Sequence, residues 1–317
     1  MRAKVLRSAK RSFICEMCDS KEIVEAPALA ALLKEDHIVV GDFVNLIPIE
    51  SDSGYQIDQR EIRKNEIYRM IPREQKKKVT AANCDLLILV TSVSRPEYKR
   101  GLVDRYLTRA FQWHIPAVVV FNKMDEYNED DLDVLFETKR LEDIDVDCYE
   151  VSALNKSYKA KILPGIEALK DSLKGKTAIM LGQSGVGKSE LISALSEGKT
   201  KLLSGGLGKI GKGTHTTTWS EIVNCGEFYL IDSPGVRSLS IDDIMLEELD
   251  GIFPDIANYA THCKFRNCTH MEEDKGCYFN DLDVEDEKSL MVLGRLESYM
   301  KFKEELSKTP FWSKKKP

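Results

Sequence analysis

The segment Gly182-Gln183-Ser184-Gly185-Val186-Gly187-Lys188-Ser189 constrains this chain more than any other. It has the spacing G-x-x-x-x-G-K-[ST], follows the apolar run 177–181 (TAIML), and leads into a helix-forming stretch at Glu190. A strand, a glycine-rich turn and a helix in that order build a phosphate cradle. The glycines let backbone N–H groups curl around phosphate oxygens, and the helix N-terminus adds partial positive charge. Lys188 is placed to neutralise the outer phosphates, and the Ser189 hydroxyl to ligate Mg²⁺. All of 182–190 is therefore predicted to contact a nucleotide. Such a loop needs a sheet behind it, and the flanking sequence predicts one.

Apolar runs at 85–93 (DLLILVTSV), 116–121 (PAVVVF), 147–151 (DCYEV) and 177–181 alternate with helical stretches near 101–113, 129–140 and 163–173. That alternation predicts a mainly parallel, doubly wound α/β sheet. Two more strands are expected at 218–223 and 227–231. Residues 1–73 hold short β-type runs at 12–15, 37–44 (with Gly41-Asp42 as a turn) and 62–70, which predict a small OB-like β-barrel. After 244 strands cease, and helices are expected at 246–253 and 288–306. A chain of 317 residues has room for this three-part division at 1–73, 74–243 and 244–317.

A phosphate loop does not select a base. Asn122-Lys123-Met124-Asp125 follows the strand PAVVVF. A carboxylate at Asp125 accepts hydrogen bonds from guanine N1–H and the N2 amine, and adenine offers neither on that edge. Lys123 would lie along the base, and Asn122 would tie this loop to the others. Ser152-Ala153-Leu154 ends the next strand, and its backbone N–H groups would reach guanine O6. Each motif is short, but all three fall at carboxyl ends of strands in one sheet, where such folds bind ligands.

Asp232-Ser233-Pro234-Gly235 follows the run EFYLI and fits D-x-x-G. There Asp232 would hold Mg²⁺ through water and the Gly235 N–H would sense the γ-phosphate. The glycine-rich stretch 203–218 ends in Thr214-His215-Thr216-Thr217-Thr218. One threonine would complete the Mg²⁺ shell; Thr217 is favoured, with Thr216 and Thr218 as alternatives. Val236 stands where many nucleotide switches carry a water-orienting Gln. A valine cannot polarise water, so His215 becomes the nearest polar candidate for that catalytic part.

The motif order is base-reading loops, phosphate loop, switches, whereas the usual order starts with the phosphate loop. A circular permutation between the third and fourth strands accounts for it, and places the C-terminal segment directly after the second switch. With these motifs in this order, the chain resembles the circularly permuted GTPases of the small-ribosomal-subunit biogenesis family, the RsgA or YjeQ family. HTTT at 215–218, DSPGVR at 232–237 and the stretch 81–107 (AANCDLLILVTSVSRPEYKRGLVDRYL) carry the resemblance. It is strongest over 80–280. It implies an OB barrel and a zinc domain flanking the GTPase, binding to the small subunit near its decoding region, hydrolysis stimulated by that subunit, and a catalytic histidine at His215.

Cys263-x₄-Cys268-x-His270-x₆-Cys277 offers three thiolates and one imidazole. Four such donors predict a closed, structural tetrahedral zinc site with Cys263, Cys268, His270 and Cys277 as ligands. The resembled family usually has five residues in the last interval, so this chain carries one more within 271–276. Cys15-x₂-Cys18 has no second pair nearby and reads as buried strand thiols. Eight cysteines without an apolar leader do not suggest a disulfide framework. The basic start MRAKVLRSAKRS leads quickly to Glu16, Asp19 and Glu22, so a cytoplasmic protein is expected. No apolar run is long enough for a membrane span.

Net charge is −6, which as an average argues against nucleic acid. The distribution says otherwise. Residues 1–80 carry 15 Lys/Arg against 13 Asp/Glu, residues 301–317 carry six against two, and the rest carries 25 against 37. Both ends are basic and the nucleotide region is acidic. These readings converge on a GTP hydrolase working as a ribosome-dependent switch, a monomer with GTP/GDP, the small subunit and its rRNA as partners and no membrane. An RNA-binding module with a vestigial nucleotide site is the alternative. A P-loop small-molecule kinase is a third reading, but it gives Asn122–Asp125 no purpose.

Overall fold

The computed structural model describes residues 1–8, 12–29, 32, 37–49, 54–71, 76–197, 221–232, 240–241 and 243–308. They divide into two compact units: residues 1–98, 113–128 and 148–238, and residues 99–112, 129–147 and 239–317. No helix among the described residues is long and apolar enough to cross a membrane.

In the first unit, β1 (Arg2–Ser8), β2 (Ser12–Met17), β3 (Ile23–Pro27), β4 (Phe43–Pro48) and β5 (Tyr55–Arg60) form antiparallel pairs β1–β2, β2–β3, β1–β4 and β4–β5. A bridge between Ala28 and Ile57 links the end of β3 to β5 and closes the circuit. Alternate residues point inward, so Ala3, Val5, Phe13, Cys15, Val44, Leu46 and Ile57 share one core. The strand expected from His37 begins only at Phe43. The turn expected at Gly41-Asp42 is present: the Asp42 carboxylate accepts from Val39 N–H at 2.8 Å and pairs with Arg63 at 2.7 Å. β6 (Glu66–Ile71) and β7 (Lys76–Ala82) pair as a separate hairpin.

The nucleotide-type sheet follows with β8 (Leu86–Ser92), β9 (Ala117–Asn122), β10 (Asp147–Glu150), β11 (Thr177–Leu181), β12 (Glu221–Asn224) and β13 (Tyr229–Asp232). Their spatial order is β10-β9-β8-β11-β13-β12. β9, β8, β11 and β13 run parallel, and β12 is antiparallel to β13. β8, β9 and β11 are buried along their whole length, which explains their unbroken apolar sequence. The order in which the chain adds strands reverses between β8 and β11, which makes their carboxyl ends the switch point where such sheets bind ligands. β12 also pairs with β1, opposing Glu221 to Arg7, so strands β1–β5 and the nucleotide-type strands belong to one sheet.

Among the described residues the named α-helices are α1 (Arg100–Gln112), α2 (Val134–Glu142), α3 (Ile166–Leu173), α4 (Lys188–Leu195), α5 (Leu249–Ile252), α6 (Pro254–Ala260) and α7 (Glu287–Lys308). α3 and α4 pack on the sheet through Leu169, Leu173, Leu191 and Leu195. The second unit gathers α1, α2 and α5–α7. Its apolar core includes Ile241, Leu249, Phe253, Ile256, Leu296 and Phe302. Beside that core lies an ionic cluster. Asp104 of α1, fully buried, accepts from Arg140 of α2 and Arg295 of α7, each at 2.9 Å, and from the Ser298 hydroxyl at 2.6 Å. Arg140 also donates to Glu137, and Arg295 to Asp255. Grouping α1 and α2 with the C-terminal helices was not readable from the sequence.

Candidate functional site: a nucleotide cradle and a metal cluster

The loop after β11 turns on three glycines with positive φ: Gly182 (147°), Gly185 (86°) and Gly187 (95°). Two of them also have no room for a side chain. A Cβ on Gly182 would stand 2.3 Å from the Val90 carbonyl oxygen, and one on Gly187 would stand 2.3 Å from Asn122 Nδ2. Val186 is buried and pins the loop to the core under β8, while Gln183 is half-buried and Ser184 and Gly185 are exposed. α4 starts at Lys188, so its first-turn N–H groups, with exposed Ser189 and Glu190 in that turn, belong to the same cradle. The Lys188 ammonium donates to the Gly182 and Gln183 carbonyls at 2.7 and 2.8 Å, which keeps it across the mouth of the loop.

Asn122, the last residue of β9 and only 1% exposed, joins the three loops. Its Nδ2 donates to the Val186 carbonyl at 2.8 Å, and its Oδ1 accepts from Ala153 N–H at 3.1 Å. Lys123 turns the chain with φ 66° and donates to the Gly185 carbonyl at 2.9 Å and to the Arg95 carbonyl. Met124 is buried and its N–H donates to the Val151 carbonyl. Asp125 is exposed, and its Oδ1 accepts from the Ser152 hydroxyl at 2.5 Å. Leu154 is exposed at the end of that segment. Residues separated by more than 60 positions thus converge at one sheet edge. The carboxylate is aimed by a hydroxyl, and the lysine and glycine amides lie on the other side of Asn122.

Asp232 ends β13, the strand beside β11. His215, Thr216, Thr217, Thr218 and Gly235 lie outside the described residues.

A second cluster lies in the other unit. The donor atoms of Cys263, Cys268, His270 and Cys277 all lie within 4.8 Å of one another. His270 Nδ1 is 3.7 Å from Cys263 Sγ and 3.8 Å from Cys277 Sγ. Metal–ligand bonds of about 2.0–2.3 Å in a tetrahedron put donors roughly 3.5–3.8 Å apart, so the set fits a metal ion. Burial holds His270 below its ordinary pKa, which favours the neutral, ligating imidazole. The long last interval is fastened by Asp274, whose Oδ2 accepts from Thr269 N–H and O–H at 2.8 and 2.7 Å. Those bonds bring the Asp274 carboxyl down to about 2. The extra residue is therefore accommodated in a fixed turn.

Comparison with known proteins matches residues 60–242 to the RsgA GTPase family. The chain belongs to the RsgA GTPase family. Relatives named small ribosomal subunit biogenesis GTPase RsgA include one from Phocaeicola vulgatus, 36% identical over 87% of this chain and 86% of its own. Another, from Thermotoga petrophila, is 35% identical over 85% and 84%. The crystal structure of YjeQ from Thermotoga maritima matches with a TM-score of 0.74 and 30% identity, covering 96% of this chain and 98% of that one. YloQ, a circularly permuted GTPase, shares the fold at a TM-score of 0.70 and 23% identity, over 97% and 95%. RsgA membership makes the chain a GTPase.

Two residues of this RsgA chain escaped the sequence reading. Glu150 is buried just before Ser152, and Asp274 anchors the metal loop. A charged residue inside the apolar run CYEV was the available signal for the first. Asp274 stands among exposed acids and offered none. Cys15 is buried in β2 as expected, whereas Cys18 lies just past the strand and is half-buried.

Proposed function

We propose that this chain hydrolyses GTP to GDP and phosphate and uses that cycle as a switch in late maturation of the small ribosomal subunit. The observation that carries the nucleotide reading is the pair of hydrogen bonds by which Asn122 donates to the phosphate loop and accepts from the 152–154 segment. The ribosomal reading is supported by the relatives' shared name.

The chain's own groups divide the work. The 182–190 amides and Lys188 hold the phosphates, where they stabilise the charge of the transferring group. Asp125 and the 152–154 backbone read guanine. Ser189, Asp232 and Thr217 would hold Mg²⁺, which neutralises phosphate charge when bound. His215 would orient the attacking water, since Val236 cannot. Closing 203–218 and the residues after Gly235 on GTP would present the ordered state to the subunit. In this reading the protein is a cytoplasmic monomer, divided at 1–73, 74–243 and 244–317. The closed circuit β1–β5 is an OB-like barrel offering rRNA a basic end.

Hydrolysis measured with and without isolated small subunits tests this. Stimulation of about tenfold or more is expected. An unchanged rate removes the ribosomal reading, and no turnover at all removes the enzyme.

The Cys263–Cys268–His270–Cys277 set would hold one structural zinc, its four protein ligands leaving no position open. Elemental analysis should find one zinc per chain. Cys277→Ser should release it and lower the melting temperature of the second unit, because thiolate ligation there is folding energy. A metal-free protein of unchanged stability would end this assignment.

A further inference from the structure

Glu150 ends β10 with its side chain 1% exposed, yet no lysine or arginine neutralises it in the bonds it makes. Its partners are a hydroxyl and three consecutive backbone amides. Oε1 accepts from the Tyr158 O–H at 3.1 Å and from Lys161 N–H. Oε2 accepts from Ile162 N–H at 3.0 Å and Leu163 N–H at 2.9 Å. Burial and the neighbouring carboxylate push the Tyr158 hydroxyl up to about 12, so it stays a donor at neutral pH. The Glu150 N–H donates to the Pro164 carbonyl at 3.0 Å.

One residue therefore closes the neck of the loop 151–164 with both its backbone and its side chain. The loop opens with Ser152-Ala153-Leu154. Its other restraints act on the same stretch. Val151 is bonded to Phe121 and Met124, Ala153 to Asn122, and Ser152 to Asp125. Farther along, the Asn155 side chain accepts from Ser157 N–H and O–H. Held at Val151, Ser152 and Ala153 and closed at its neck by Glu150, the 152–154 backbone is restrained before any base arrives. Amides fixed in advance need no ordering on binding, which is where affinity and discrimination come from.

We propose that Glu150 is a positioning residue for guanine recognition, setting the 152–154 backbone against O6 without touching the nucleotide. This rests on the reading of 152–154 as the O6 contact. Three amides and a hydroxyl converge on one carboxylate, an arrangement that an amide side chain cannot reproduce, because its NH₂ would face other donors.

The test compares GDP with 6-thio-GDP, which keeps N1–H and the 2-amino group but replaces O6 with sulfur, a weak acceptor. Both are titrated calorimetrically into the full chain and into Glu150→Gln. The native protein should favour GDP by roughly tenfold, the worth of one good hydrogen bond. Glu150→Gln should lose about tenfold in GDP affinity and bring the ratio near one, with 6-thio-GDP binding little changed. A purely structural role would weaken both ligands equally and leave the ratio intact, and that result overturns the proposal. If the native protein itself does not distinguish the two, the O6 reading of 152–154 fails, and the inference falls with it. Should Glu150→Gln not fold, Tyr158→Phe removes one of the four donors and is read the same way. An unchanged ratio there also overturns the proposal.

Discussion

Asp125→Asn is expected to weaken GTP binding by about a hundredfold or more while leaving the phosphate loop intact. In the proposed role the carboxylate would accept two hydrogen bonds from guanine. An amide puts its NH₂ against one of those donors and leaves both buried by the base. The same change suits xanthine, whose C2 carbonyl accepts where guanine donates. Asp125→Asn should therefore bind xanthosine triphosphate better than GTP, the reverse of the native chain. The Ser152 hydroxyl holds the Asp125 carboxylate in place at 2.5 Å, so Ser152→Ala should produce a weaker loss of the same kind. Competition titrations with GTP, ATP and xanthosine triphosphate give the measurement. An Asp125→Asn protein that still prefers GTP would remove the base-reading role from this loop.

The second large effect is one of stability. Asp104→Ala should destabilise the second unit by about 3–5 kcal/mol, because it strands two buried guanidinium groups. Arg140 and Arg295 both donate to the same oxygen of Asp104, and neither has water to turn to, being 0% and 3% exposed. Burial alone would raise the Asp104 pKa, but Arg295 and Arg140 outweigh it and hold the carboxyl below its ordinary value. A carboxyl lowered in the folded state stabilises it fully above the unfolded value of about 3.9 and loses that contribution as pH falls through the folded value. The second unit should thus lose stability in acid below about pH 4, and Asp104→Ala should flatten that dependence. Urea unfolding of the full chain from pH 3 to 7 reads both. A loss under about 1 kcal/mol would mean that the arginines find other partners.

These two residues differ in how far the sequence announced them. Asp125 stands in a four-residue motif after an apolar strand, and its chemistry follows from residue type and place. Asp104 lies in YKRGLVDRYL, where one more charge in a helix is unremarkable. Its partners are 36 and 191 positions away. No local pattern distinguishes it from a solvated face.

The same division runs through the fold. Phosphate loop, parallel strands and the Cys/His donor cluster were legible because each is governed by short-range physics. Glycines are needed where φ is positive, apolar runs where both sheet faces are covered, and donor spacing where one ion must be surrounded. The turn at Gly41-Asp42 was legible and is present, but residues 37–40 ahead of it make only a single bridge, Val40 to Ala81, and the brace on the turn comes from Arg63, some twenty residues on. The six-residue interval before Cys277 could be counted, but only the bonds to Asp274 explain why its length does no harm.

By itself, then, the sequence determined the nucleotide chemistry, the guanine preference, the permuted order and the metal donors, since each resides in contiguous residues with a fixed local geometry. Tertiary structure alone decided that Glu150 closes the neck of the 151–164 loop, and that α1 and α2 share an ionic core with the C-terminal helices. Those arrangements depend on partners distant in the chain, and burial, which makes such polar contacts strong, exists only once the chain has folded.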